Sequence, residues 1–166
     1  MSLIEFDFER PDNPLDAIEK LASSHKWIFE RSDADEITIS VGGNWCDYHV
    51  TLTWLDDLET LLLSCAFDIK VLADREAETS KLLALINEQL WMGHFDLWHQ
   101  EGVLLFRQSL LLAGGADLTR GQVETMVSNA FDCCERYYQS FQFVVWAGKT
   151  AEEAVETALF ETAGEA

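Results

Sequence analysis

Four consecutive segments between Lys26 and Ile69 alternate apolar and polar residues, and this period of two constrains the chain more than any other feature. "KWIFERS" sets Trp27 and Phe29 against Ile28. "DEITISVGG" sets Ile37, Ile39 and Val41 against Glu36, Thr38 and Ser40, and Gly42 and Gly43 then turn the chain. "WCDYHVTLTWL" sends Cys46, Tyr48, Val50, Leu52 and Trp54 inward and leaves His49 on a mixed outer side with Trp45, Asp47 and Thr51. "LETLLLSCAFDI" returns after an Asp56–Asp57 turn. Parallel neighbours need crossovers of about a dozen residues or more. The gaps here are much shorter, so all four strands are able to pair antiparallel through short loops.

Helical signals bracket this meander. Asn13 as N-cap and Pro14 at the first helical position open a helix over 13–24, with Leu15, Ile18, Leu21 and Ala22 as its apolar stripe. Asp74 is the expected cap of a second helix carrying Thr79, Leu82, Leu83, Ile86 and Leu90, and Gly93 its terminating glycine. Thr119 and Gln122 form a capping box for a third, striped by Val123, Val127, Ala130, Cys134, Tyr138 and Phe141 and stopped or kinked at Gly148. Thr150 and Glu153 form another, opening an acidic helix over 150–163. The expected order is α-β-β-β-β-α-β-β-α-α. It describes an α+β fold in which an antiparallel β-sheet is flanked by helices, as a single domain over 1–166.

Thirty Asp and Glu against eleven Lys and Arg give a formal net charge of −19. Nucleic-acid binding works by basic residues releasing phosphate counterions, so no nucleic acid and no anionic membrane is expected as a partner. The N-terminal "MSLIEFDFERPDNP" lacks the basic and apolar regions of a secretion signal, and no apolar run approaches the ~20 residues that span a bilayer. A cytoplasmic location and four reduced cysteines are the expectation.

"WMGHFDLWHQEGVLLFRQSLLL", from Trp91 to Leu112, is where chemistry would first be sought. His94, Asp96 and His99 are metal-ligand types. On a strand, however, His94 and Asp96 share a face that His99 does not, so the three cannot converge on one ion. A hairpin accounts for the stretch better. A two-residue Glu101–Gly102 turn would pair Gln100 with Val103, Trp98 with Leu105, Leu97 with Phe106 and Asp96 with Arg107. The last is an ion pair worth a few tenths to ~1 kcal/mol. Phe95, Leu97, Leu104, Phe106 and Leu110 form the core face. The opposite face carries Trp98, Val103, Leu105 and Leu111 beside Asp96, Gln100 and Arg107, too apolar for plain solvent. Either the chain's own last helices cover it or it meets a protein partner. Asp96, Trp98, Val103, Leu105, Arg107 and Leu111 are the candidate interaction residues, since Trp and Arg are enriched at interface hot spots.

Other candidate chemistry is thin. Cys133 and Cys134 are adjacent on a helix, about 100° apart around its axis, and no C-x-x-C motif exists. Structural thiols are the reading. "LAGGADLTRG" lacks the Lys of a phosphate-binding loop. No enzyme and no cofactor are expected. The alternative is a small-molecule- or metal-binding sensor, with His49, His94 or His99 beside an internal pocket.

"LLALINEQLWMGHFDLWHQEGVLLFRQSLLL" followed by "LTRGQVETMVSNAFDCCERYYQSFQFVVWAGKTAEEAVE" resembles the YbjN family of bacterial proteins. The features that carry it are a striped helix, Gly93-His94-Phe95, a hairpin with Phe106-Arg107, and a long apolar strand. The resemblance spans roughly 13–147 and leaves the C-terminal acidic helix outside. It implies a type III secretion chaperone-like fold, an acidic homodimer without enzymatic activity, and binding of extended segments of client proteins over apolar surface. The family is described as a regulator of sensory transduction or stress. No functional residue carries over, because the pattern contains none.

Overall fold

The structure, a computed structural model, describes residues 10–164. Residues 1–9, on which the reading of a missing secretion signal largely falls, lie outside the described residues. The strands are β1 (Ile28–Asp33), β2 (Glu36–Gly42), β3 (Asp47–Leu55), β4 (Thr60–Lys70), β5 (His94–Trp98) and β6 (Val103–Leu111). The helices are α1 (Pro14–Ser24), α2 (Glu76–Asn87), α3 (Arg120–Val145) and α4 (Ala151–Gly164). This is the expected α+β order. Every neighbouring pair is antiparallel, in the spatial order β1-β2-β3-β4-β6-β5.

The period of two is visible as rows running across the sheet. One row pairs Phe29, Ile39, Val50, Cys65, Phe106 and Phe95 through all six strands, each of them apolar. The adjacent row pairs Glu30, Thr38, Thr51, Ser64, Arg107 and His94, each of them polar. The first row belongs to the face where the helices pack. Leu15 and Ile18 of α1, Leu82 and Ile86 of α2, and Val123, Ala130, Cys134, Tyr138 and Phe141 of α3 join Ile37, Leu52, Leu63 and Phe106 in one hydrophobic cluster. At its centre the Phe95 ring lies 5.3 Å from Phe106 and 5.2 Å from Phe141, both edge-on, an arrangement worth ~1 kcal/mol beyond area burial.

The helix ends follow the sequence in three cases. Asn13 accepts from the Leu15 amide at 2.9 Å. Thr119 and Gln122 satisfy each other's backbone at 3.2 and 2.8 Å. Thr150 and Glu153 do the same at 3.3 and 3.1 Å and open α4, which packs on α2 and α3. The second helix differs. Asp74 lies in a 3-10 turn, Ala73–Arg75, and no side chain caps α2. Gly93 does not end α2, which stops at Asn87, before Leu90. The Asn87 side chain is drawn off the helix to donate to the Phe95 carbonyl at 2.9 Å and accept from the Phe95 amide at 2.8 Å. Gly93, at φ 73°, admits the chain to β5, where a Cβ would strike the Phe106 ring at 2.3 Å.

Candidate functional site

The hairpin forms, but in a different register. Trp98 pairs with Val103, Leu97 with Leu104, Asp96 with Leu105, Phe95 with Phe106 and His94 with Arg107. The expected pairs Gln100–Val103, Trp98–Leu105 and Leu97–Phe106 do not occur, and Gln100 sits in the turn. The turn is longer than two residues because Gly102 is held elsewhere. Its amide donates to the Trp98 carbonyl at 2.8 Å, and its carbonyl accepts from the Val71 amide at 2.9 Å. A Cβ there would meet the Val71 carbonyl oxygen at 2.4 Å, and φ is 65°. The shift is by two residues, so every side chain keeps its face. Asp96 and Arg107 still meet, now diagonally, at 3.2 Å. Both are more than a third exposed, so the pair contributes at most ~1 kcal/mol.

The six candidates therefore share the face opposite the helices. Coverage by α3 and α4, the other expectation, is overturned: both pack against the core side. Trp98 is 49% exposed and Leu111 66%, while Val103, Asp96 and Arg107 are partly exposed. Leu105 departs from its expected role as a contact residue. It is 2% exposed and lies outside the main hydrophobic cluster, among neighbours on its own face. It is packing beneath the patch rather than part of its surface.

Three contributors were missed from sequence. Leu62 of β4 faces outward, paired with Ser109. Trp91 is fully exposed and Met92 about half, both in the turn before β5. With Gly93, His94, Arg107, Gln108 and Ser109 they line an open cleft of about 420 Å³. Leu62 had a legible signal, an apolar residue at an outward position between Thr60 and Ser64. Trp91 had none.

The β1–β3 half of the same face is chemically different. Thr38 and Thr51 hydroxyls lie 3.0 Å apart, Ser40 meets His49 Nδ1 at 3.1 Å, and the Ser32 hydroxyl donates to Glu36 at 2.7 Å. Glu30, Glu36 and Asp47 make it acidic. On the strands of the other half the charges balance, Lys70 and Arg107 against Asp68 and Asp96. The free edge of β5 is also occupied: Asn87 takes both backbone groups of Phe95, and the Leu97 amide donates to Asp96 at 3.0 Å.

The remaining reactive types are engaged in structure. His99 lies in the turn and bonds Glu76, His25 meets Glu124 at 2.7 Å, and His94 and Asp96 share the outer face. Among the described residues no three His, Cys, Asp or Glu side chains gather where they could hold one metal ion. The four cysteines are free, and burial pushes the Cys46, Cys133 and Cys134 thiols up, away from the reactive thiolate. The Tyr48 hydroxyl donates to Glu135 at 2.8 Å, and burial, then that carboxylate, holds the phenol above its ordinary value. Glu135 also accepts from the Asn44 amide at 3.0 Å, pinning the β2–β3 turn to α3. No helix among the described residues is long and apolar enough to cross a membrane.

Comparison with known proteins fits this geometry. The fold is similar to that in the crystal structure of YbjN from E. coli, with a TM-score of 0.54 and 16% identity, over 73% of this chain and 85% of that one. It is also similar to a chain of the ExsC–ExsE complex, with a TM-score of 0.52 and 22% identity, over 74% of this chain and 91% of that one. At these identities the likeness concerns the fold. No curated protein matches the sequence. The profile of the family described as "YbjN: Putative bacterial sensory transduction regulator" matches residues 14–143, most of the chain. The chain belongs to the YbjN family.

Proposed function

We propose that this chain is a non-enzymatic protein-interaction module, chaperone-like or regulatory, that works in the cytoplasm. It binds a protein partner through the outer face of β4, β6 and β5. The observation that carries the reading is a half-face that exposes Trp98 and Leu111 among partly exposed Leu62 and Val103, in a chain of net charge −19. Trp98, Leu111, Leu62 and Val103 supply apolar contact, and Asp96 with Arg107 supplies orientation. The partner in the ExsC–ExsE structure is a second protein, which agrees with this use of the fold. Self-association through the same patch is the homodimeric form of the reading. Two copies of an acidic chain approach most easily where their charge is locally balanced.

The test is capture from the native cytoplasm by wild type and by a Trp98→Asp/Leu111→Asp variant with unchanged circular dichroism. Partners held by the wild type and lost by the variant support the reading. Equal capture by both refutes it. Light scattering at micromolar concentration decides the homodimer: a monomer at every concentration retires that form. The cleft beside His94 is the one observation favouring the small-molecule sensor alternative. A ligand that raises the melting temperature of wild type but not of Arg107→Ala would establish it.

A further inference from the structure

We infer that the partner taken up by the outer sheet face is a basic, part-apolar protein segment that lies across the strands. Its apolar side chains cover Leu62, Trp98 and Leu111, and its Lys or Arg side chains meet Glu30 and Glu36. This rests on the reading of the β4–β6–β5 half as a docking surface and names the chemistry of what docks there.

Charge is placed unequally on the two halves. On β4, β6 and β5, Lys70 and Arg107 balance Asp68 and Asp96, and Asp68 already accepts from the Tyr138 hydroxyl at 3.0 Å. The outward positions of β1, β2 and β3 carry Glu30, Glu36 and Asp47 and no Lys or Arg. Arg31 has the opposite parity, and its side chain is spent on Asp16 and Glu19 of α1. Lys26 lies in the turn before β1. No ion pair among the described residues reaches Glu30, Glu36 or Asp47. A surface of one sign concentrates the opposite charge above it. Beside it, Trp98 and Leu111 stay exposed, as an apolar contact surface does.

The strand ladder fixes how far apart the two kinds of contact lie. Glu36, Thr53, Leu62 and Ser109 form one outward row, so Glu36 stands two strands from Leu62, about 10 Å at ~4.8 Å per strand. Glu30, Thr38, Thr51 and Ser64 belong to the next outward row, and Glu30 stands three strands from Ser64, about 14 Å. An extended chain rises ~3.3 Å per residue. A segment anchored by an apolar residue on Leu62 therefore brings a cation to Glu36 when that cation is three or four residues away.

Charge also separates a foreign segment from a second copy. A copy brings thirty Asp and Glu against eleven Lys and Arg. It can meet the balanced half of the face but leaves the acidic half unmatched. A segment with both apolar and cationic side chains matches the two halves at once, and like-charged segments are rejected by the acidic half.

Fluorescence anisotropy on the full chain tests this with three synthetic peptides of about eight residues, long enough at ~3.3 Å each to cross the six strands. One carries Trp and Leu at one end and Lys at the other. The second has Glu in place of Lys, and the third Ser in place of Trp and Leu. The first should bind about tenfold or more tightly than either counterpart. Glu30→Gln/Glu36→Gln should weaken it about tenfold, and Trp98→Ser/Leu111→Ser, which leaves the net charge unchanged, by a similar factor. Glu88→Gln/Glu156→Gln removes the same charge from exposed sites after α2 and on α4, and should change affinity by less than about twofold. All three variants are compared at unchanged circular dichroism. Equal affinity for the Lys and Glu peptides, equal losses from the two glutamate pairs, or indifference to Trp98→Ser/Leu111→Ser would each overturn the inference. If partner capture depends on Trp98 and Leu111 while Glu30→Gln/Glu36→Gln changes nothing, this inference fails and the proposed function stands.

Discussion

The two halves of the outer sheet face are built from the same alternation and the same backbone, yet only one is self-sufficient. Across β1, β2 and β3 the outward side chains are mostly polar and pair through Ser32–Glu36, Thr38–Thr51 and Ser40–His49, with Ile28 at the edge the exposed apolar exception. Water and cross-strand hydrogen bonds suffice there. Across β4, β6 and β5 the outward positions set Leu62, Val103, Leu105, Leu111 and Trp98 among Ser64, Ser109 and His94, with an ion pair between Asp96 and Arg107. The difference teaches that being outward is a matter of strand parity, whereas being finished depends on whether neighbouring rows supply partners for each other. An unfinished half-face next to a finished one, on one continuous sheet, is what a docking surface looks like physically.

The sharpest way to break this comparison is Leu105→Asp. If the apolar half is packed beneath its surface, an unpaired carboxylate there costs about 3 kcal/mol or more in urea denaturation. A smaller loss means that Leu105 is not held by its neighbours. Trp98→Asp with Leu111→Asp probes the layer above. It should weaken partner binding about tenfold or more, measured by titration calorimetry, while stability changes by ~0.5 kcal/mol per site. A large loss of stability would make those residues core. On the finished half, Thr51→Val should cost ~1 kcal/mol by stranding the Thr38 hydroxyl, and a cycle with Thr38→Val should recover part of it. Asp96→Asn should cost a few tenths to ~1 kcal/mol and lose its effect at high salt, because both side chains of that pair are more than a third exposed.

The smallest effect lies off the sheet and calibrates the others. Arg120, then His25, hold the Glu124 carboxyl below the ordinary glutamate range. A depressed folded-state value means that this contact stabilises above the unfolded glutamate's titration and is lost as pH falls through the folded one. Carbon-detected NMR titration should show Glu124 moving up in Arg120→Ala, with no change in the outer-face residues.

Much of this was legible in the residues. Strand parity was fixed because a face mistake would bury Thr38, Thr51 and Arg107 and expose Ile39, Val50 and Phe106, and the hydrophobic effect forbids it. The hairpin register was not legible, because a shift of two residues leaves every face unchanged. Hydrophobic pattern is blind to that choice. The deciding contact is Val71 on Gly102, made by chain that arrives from β4. The end of α2 was misread for a similar reason. Gly93 carried a glycine stop signal, while Asn87 was recruited by the backbone of β5, a partner that exists only after folding.

The sequence by itself determined the elements, their order, which side chains face inward, and two capping boxes, because all of these follow from local periodicity and short-range hydrogen bonding. Tertiary structure alone decided that every helix gathers on one face, that Leu105 sinks while Trp98 and Leu111 stay out, and that Leu62 and Trp91 join them. Those outcomes depend on which rows become neighbours across strands distant in sequence, and spacing along a single chain does not encode that adjacency.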